Sequence, residues 1–237
     1  MPNHEKSMQA KESLLGKFDA VYDLDISPEI LRNSSVTDEF IDGAAKGLEY
    51  LIAPLLEEQP LTHSALSKCE RAILLENKFA GSKSLFLLGF VFENHVIVGR
   101  MHNRRSLEYR YKTKLRHLPP ALHGYYKYFD GLDNPQKSMP GIDPYDLPKY
   151  LSSWIAIDQV RASLGMYKRT FQIEKDLDSS NLRVWIHNRD GRLFIVNLSV
   201  ENDVIYYMNL NEPDRYDRLE NVAGYIDEYC KKIILGY

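Results

Sequence analysis

Between Arg183 and Leu235 the hydrophobic period of the chain changes from two to about 3.6, and that switch limits the folds open to it. RVWIHNRDGRLFIVNLSV holds two strand-length runs joined by Asn188-Arg189-Asp190-Gly191, where Gly191 can take the positive φ that a bulged hairpin turn needs. Phe194, Val196, Leu198 and Val200 then fall on one face. Asn202-Asp203 turns the chain again, into Val204-Ile205-Tyr206-Tyr207-Met208. The closing stretch YDRLENVAGYIDEYCKKIIL places Leu219, Val222, Ile226, Cys230, Ile233 and Ile234 on one helical stripe. Strands joined by turns this short run antiparallel, and a one-sided helix must bury its stripe against them. An antiparallel meander covered by helices follows, an α+β fold.

Earlier segments extend this plan. Residues 1–35 are polar with scattered apolar positions (Leu14, Leu15, Phe18, Val21, Tyr22) and are expected to pack loosely. From Val36 to Glu58 the apolar residues Phe40, Ile41, Ala44, Leu48, Leu51, Ile52, Leu55 and Leu56 predict one helix, with Ser35 and Asp38 as its capping box. Pro60 ends it, and Thr62 caps a second helix whose stripe is Leu66, Cys69 and Ile73, running out near Gly81. SLFLLGFVF and HVIVGRMH, separated by Glu93-Asn94, predict a hairpin, to which LEYRYKTK would add a third strand. Leu118-Pro119-Pro120 opens a further helix carrying Leu122, Tyr125, Tyr126 and Phe129, which Asp130-Gly131 ends. DNPQKSMPGIDPYDLP is then a long loop. Residues 152–157 form a short strand, and Asp158 to Gly165 a short helix. The expected organisation is 1–35, a loosely packed lead; 36–114, helices and a hairpin; and 115–237, the α+β domain, with 36–237 as one continuous unit the alternative.

Composition removes several function classes. At 237 residues and 44% hydrophobic, the chain can bury a large core, so disorder throughout is excluded. No apolar stretch reaches the roughly 18 residues of a membrane span, and no signal-peptide h-region follows the N-terminal charges. Two distant cysteines without a CxxC fit a reducing cytoplasm. The net charge is only -3, yet residues 100–116 are strongly basic and 201–228 mostly acidic. Two different faces are expected, more than one polyanion-binding surface.

Catalytic and cofactor motifs are absent. His102, His117, His123 and His187 have no partner at metal spacing. Cys69 and Cys230 fall on apolar stripes, where a thiol behaves as a small hydrophobe. Ser84, Ser106 and Ser163 lack a G-x-S-x-G elbow, and no phosphate-binding glycine loop follows a strand. A hydrolase centred on His187 and Asp190 is disfavoured because both sit in a tight turn, open to water. No enzyme, no cofactor and no metal are therefore expected. The basic segment, with Tyr109 and Tyr111 interleaved, has two readings: a charged strand edge, or nucleic-acid contact through phosphate neutralisation and base stacking.

LPPALHGYYKYFDGL, WIAIDQV, DGRLFIVNLS, DVIYYMNLNEPD and the closing helix, in that order and spacing, resemble the SUKH superfamily of bacterial immunity proteins and fungal cell-wall regulators. The resemblance covers roughly residues 115–237, and the long N-terminal lead departs from the family pattern. It implies a cytoplasmic, non-catalytic protein that binds a cognate toxin domain tightly and occludes its active site. The binding surface varies across that family, so no residue carries over from it.

Candidate contact residues come from this chain's own chemistry. Glu201, Asp203, Glu212, Asp214 and Asp217 lie among Tyr206, Tyr207 and Tyr216, and carboxylates beside tyrosines suit a basic cleft on a partner. A solvated strand end and helix N-terminus is the alternative for this tract. Tyr145 and Asp146 in the long loop complete the set. Immunity by toxin binding is the leading expectation, and a nucleic-acid-binding or regulatory module using residues 100–116 is the alternative.

Overall fold

Strands that are apolar on both faces need cover on both sides, and among the described residues two stacked sheets and three sets of helices supply it. The computed structural model describes residues 11–32, 36–77, 85–101, 115–120, 123, 129–134, 155–163, 165–166, 169–187, 191–199 and 204–235. The first sheet is an antiparallel meander of β1 (Ala20–Asp23), β2 (Arg71–Asn77), β3 (Leu85–Val91), β4 (Val96–Met101) and β5 (Phe129–Asp133), adjacent in chain order. The second repeats the plan with β6 (Ile155–Ala156), β7 (Leu182–His187), β8 (Arg192–Asn197), β9 (Ile205–Asn209) and β10 (Asp217–Leu219). The α+β class and the antiparallel meander are as the sequence predicts.

Between the sheets lie α2 (Pro28–Arg32), α3 (Asp38–Lys46), α4 (Leu48–Ile52), α5 (Leu55–Glu58), α6 (Pro60–Leu66) and the C-terminal helix Val222–Leu235. Leu74, Phe86, Phe90 and Ile97 of the first sheet and Trp185, Phe194, Val196 and Ile205 of the second join these helices in one core. On the outer face of the first sheet, α1 (residues 11–15) brings Leu14 against Ile73, Leu75, Val91 and Val96. On the outer face of the second, α7 (Ile157–Ser163) and α8 (Gln172–Asp176) cover Leu182, Val184, Leu193 and Ile195. The C-terminal helix, α9, ties the layers together. Asn134 Nδ2 donates to Ile233 O at 3.2 Å, and His95 Nε2 donates to Ile234 O at 2.6 Å, which satisfies two last-turn carbonyls from the first sheet.

Several expectations change. The stripe from Val36 to Glu58 is three helices, because Gly47 takes φ +91° after α3 and Pro54 cannot donate within a continuous helix. Thr37, whose Oγ1 accepts from Phe40 N at 3.3 Å, is the N-cap of α3; Ser35 lies outside the described residues. Pro60 starts α6 instead of ending a helix, and Thr62 lies within α6. That helix stops at Leu66, so Cys69 follows it in a turn and Ile73 belongs to β2. Phe129, Asp130 and Gly131 belong to β5, not to a helix end, and Leu219 belongs to β10, not to the closing helix. The boundary drawn at 114/115 falls inside the first sheet, since β5 pairs with β4. Residues 20–23, within the lead expected to pack loosely, pair in register with β2, and Leu14 and Leu31 are buried. LEYRYKTK, Leu122, Tyr125, Tyr126 and the loop 135–148 lie outside the described residues.

Candidate partner-binding surface

Of the eight candidate contact residues, four fall on one connection. Tyr145, Asp146, Glu201 and Asp203 lie outside the described residues, while Glu212, Asp214, Tyr216 and Asp217 occupy the β9–β10 turn and the start of β10. Asn209 shapes that turn: its Oδ1 accepts from Asn211 N at 2.9 Å and its carbonyl from Glu212 N at 2.9 Å. Gln172 N, at the start of α8, donates to Pro213 O at 3.0 Å and pins the loop to the helix. Arg169 reaches Asp214 at 3.1 Å and Arg215 reaches Glu212 at 4.0 Å. All four of these side chains are at least half exposed, so the pairs neutralise little and release readily.

The strand period divides the tyrosines. Tyr206 points to the α7–α8 side, where its ring meets Tyr216 edge-on with centroids 5.8 Å apart. Burial and a hydrogen bond to Asp176 raise the Tyr216 phenol above its ordinary value of 10.0. Asp176 also accepts from Gln172 Nε2 at 2.8 Å, so the carboxylate that acts on the loop tyrosine is held to the first residue of α8. Tyr207 points the other way and packs with Phe194 and Tyr225, with centroids 5.6 and 6.2 Å from its own. Asp217 pairs with Tyr207 and so shares the α9 side. Glu212, Asp214 and Tyr216 therefore form one surface at the end of the second sheet, and Asp217 stands on the other side of the strand.

Asp176 lies beside this surface next to Tyr216, while Asp178, two residues on, caps the turn leading into β7, and both are absent from the sequence-derived set. Both lie in EKDLDSSN, read there only as a polar connection. Asp178 caps the short 3-10 helix Ser179–Asn181, accepting from Ser180 N at 3.0 Å and Asn181 Nδ2 at 2.8 Å, and the Ser180 hydroxyl, followed by these two groups, holds its carboxyl below the usual range. The Asp-x-Ser spacing of an Asx-turn was the available signal.

Burial pushes the Cys69 thiol up to about 11 and the Cys230 thiol up to about 12, so both are protonated near neutrality. Ser163 Oγ donates to Val160 O at 2.8 Å, and His123 Nε2 lies 3.2 Å from Leu118 O. Arg116 Nε donates to His117 Nε2 at 3.2 Å. Ser84, Ser106, His102, Asp190, Tyr109 and Tyr111 lie outside the described residues. Among the described residues, no group of three or more His, Cys, Asp or Glu is placed to hold a metal ion, and no helix is long and apolar enough to cross a membrane.

The fold and this surface define a helix-covered protein of two antiparallel meanders with an acidic, tyrosine-bearing loop at one end. No protein-family model, curated protein or solved structure matches the chain.

Proposed function

We propose that this chain is a cytoplasmic immunity protein that neutralises a cognate bacterial toxin by binding over its active site. The observation that carries the proposal is the pinned β9–β10 loop, which gathers Glu212, Asp214 and Tyr216 and joins Asp176 to them through Tyr216. A loop held at both flanks loses little conformational freedom on binding, and exposed carboxylates around a ring steer and then anchor a cationic cleft. The resemblance of residues 115–237 to the SUKH superfamily supports the same reading. A stable complex of this kind buries on the order of 1,600 Å² in total.

The test is a growth assay. The C-terminal region encoded by the gene's immediate upstream neighbour is expressed in a susceptible cell, with and without this protein. Rescue together with co-purification supports immunity. A harmless neighbour, or one that kills regardless, overturns it.

A further inference from the structure

Two aromatic side chains and a carboxylate stand in a row across the second sheet. Phe194 of β8 pairs with Tyr207 of β9, and Tyr207 pairs with Asp217 of β10, so the three share one face, the face that α9 covers. Burial falls along the row: Phe194 is buried, Tyr207 half-buried and Asp217 exposed. Tyr225 of α9 packs on the first two, with its ring centroid 5.5 Å from that of Phe194 and 6.2 Å from that of Tyr207. The start of the helix sets its position, since Asn221 O accepts from Tyr225 N at 3.0 Å and Asn221 Oδ1 accepts from Gly224 N at 3.0 Å. Tyr225 is nevertheless 36% exposed, a large ring packed on two others and left partly in water.

Tyrosine rings with a carboxylate on the same face select a cation. The face of a ring is negative and attracts a positive group within about 6 Å of its centroid, and the carboxylate adds a full charge beside it. An apolar partner would strip water from Asp217 without replacing it, and an anion would be repelled. Arginine fits better than lysine, because its flat guanidinium stacks on a tyrosine while its N–H fork reaches both carboxylate oxygens. We propose that Tyr225 and Asp217, with Tyr207 as the floor between them, form a seat for an arginine side chain of a partner protein. The seat lies on the other side of β10 from Glu212, Asp214 and Tyr216, and the inference does not rest on the immunity reading.

The probe is a capped Gly-Arg-Gly tripeptide, titrated into the isotope-labelled full chain and followed by NMR of the amides and the tyrosine rings. Saturable shifts are expected at Tyr207, Asp217 and Tyr225, with Gly-citrulline-Gly, the same shape without the charge, binding at least about fivefold more weakly. Asp217→Asn and Tyr225→Leu should each weaken the arginine peptide about fivefold or more. Should Tyr225→Leu disturb the fold, the exposed Asp217→Asn still decides the matter. No saturable shift at millimolar peptide, equal binding of the citrulline peptide, shifts centred on Glu212 and Asp214, or undiminished binding by Asp217→Asn each overturns the proposal. Free arginine binding more tightly than the tripeptide does so as well, since it would make the seat a small-molecule site, and so does sedimentation showing self-association that Asp217→Asn abolishes, since it would make a second copy the occupant.

Discussion

The carboxylate of Asp227 on α9 closes the N-terminus of α6 by accepting from Thr62 N at 2.7 Å, while its second oxygen accepts from Leu61 N at 2.9 Å. The N-cap position of α6 is Gln59, which makes no side-chain cap, so the residue doing that task comes from 165 positions beyond Thr62. Thr62 Oγ1 returns a bond to Asp227 O at 3.4 Å. Asp227→Ala leaves two N–H groups without an acceptor, one of them buried, and is expected to cost about 2–4 kcal/mol; Asp227→Asn keeps acceptor oxygen but loses the charge and costs about half as much. Urea unfolding of both variants checks this. Midpoints within error of the unaltered protein would mean that the cap is not maintained in solution.

Alkaline pH should unfold the protein through its thiols. Burial raises Cys230 from its ordinary 9.0 to about 12, with Thr62 opposing the shift and Asp227 adding to it. A raised folded value stabilises the folded state fully below pH 9, and that stability is lost as pH climbs toward 12. One proton corresponds to a slope of about 1.4 kcal/mol per pH unit across that window. Cys69, raised to about 11 and only half-buried, adds a smaller contribution. Cys230→Ala is expected to flatten the decline measured from pH 8 to 11, whatever it does to stability at pH 8. Parallel curves would refute the assignment.

Two glycines should fail for different reasons. A Cβ on Gly89 would lie 2.8 Å from Ile73 Cγ1 and 3.3 Å from Leu75 Cδ1, so Gly89→Ala overpacks the outer face of the first sheet and is expected to cost about 1–3 kcal/mol. At Gly191 the nearest atom is Leu210 Cβ at 3.5 Å, ordinary contact, but φ is +86°. Gly191→Ala costs about 1 kcal/mol from the backbone alone. Gly191→Asn should recover part of that loss and Gly89→Ser none, a contrast that thermal unfolding will read.

Local signals were legible in the chain and distant ones were not. The Gly191 turn, the Glu93-Asn94 hairpin and the α9 stripe Val222, Ile226, Cys230 and Ile233 follow from φ and period, which are properties of neighbouring residues. The stripe Leu66, Cys69, Ile73 satisfied helical spacing, yet β2 wins there because Leu74 and Leu75 must face opposite cores, which only a strand allows. Gly47 and Pro54 interrupt the stripe from Val36 to Glu58 without disturbing its apolar period, so the period overstated the helix. At the candidate surface, the acids of the β9–β10 loop were visible as composition. The role of Asp176 depends on Tyr216, 40 residues away, and no window of sequence contains both.

The immunity reading makes a kinetic prediction. The triple variant Glu212→Lys, Asp214→Lys, Asp217→Lys should slow association with the cognate toxin by about tenfold or more at low salt and weaken its salt dependence. The fold should tolerate it, because Arg169–Asp214 and Arg215–Glu212 are exposed pairs worth about 0–1 kcal/mol each. Asp217 stands on the α9 side, so Asp217→Lys alone should account for the smallest part of the effect. Stopped-flow association at two ionic strengths measures it, and an unchanged rate removes this loop from the interface.

Gln59 gives the strongest test of how the centre is held. Its side chain is fully buried, and among the described residues neither Nε2 nor Oε1 has a hydrogen-bond partner. A buried carboxamide in that condition costs about 1–3 kcal/mol relative to a satisfied one. It stands at the N-cap position of α6, where Asp227 already supplies the acceptor that a capping side chain would give. The amide is thus redundant as a cap. Gln59→Met keeps the length and nearly the volume while removing both polar groups, and it should raise stability by about 1 kcal/mol. Gln59→Ala, which removes the same groups but opens a cavity, should lower it by about 1–3 kcal/mol. Chemical denaturation distinguishes the two contributions, since only the methionine variant isolates the polar one. A loss of stability in Gln59→Met would mean that the amide makes bonds in solution that stabilise the junction of α6 and α9.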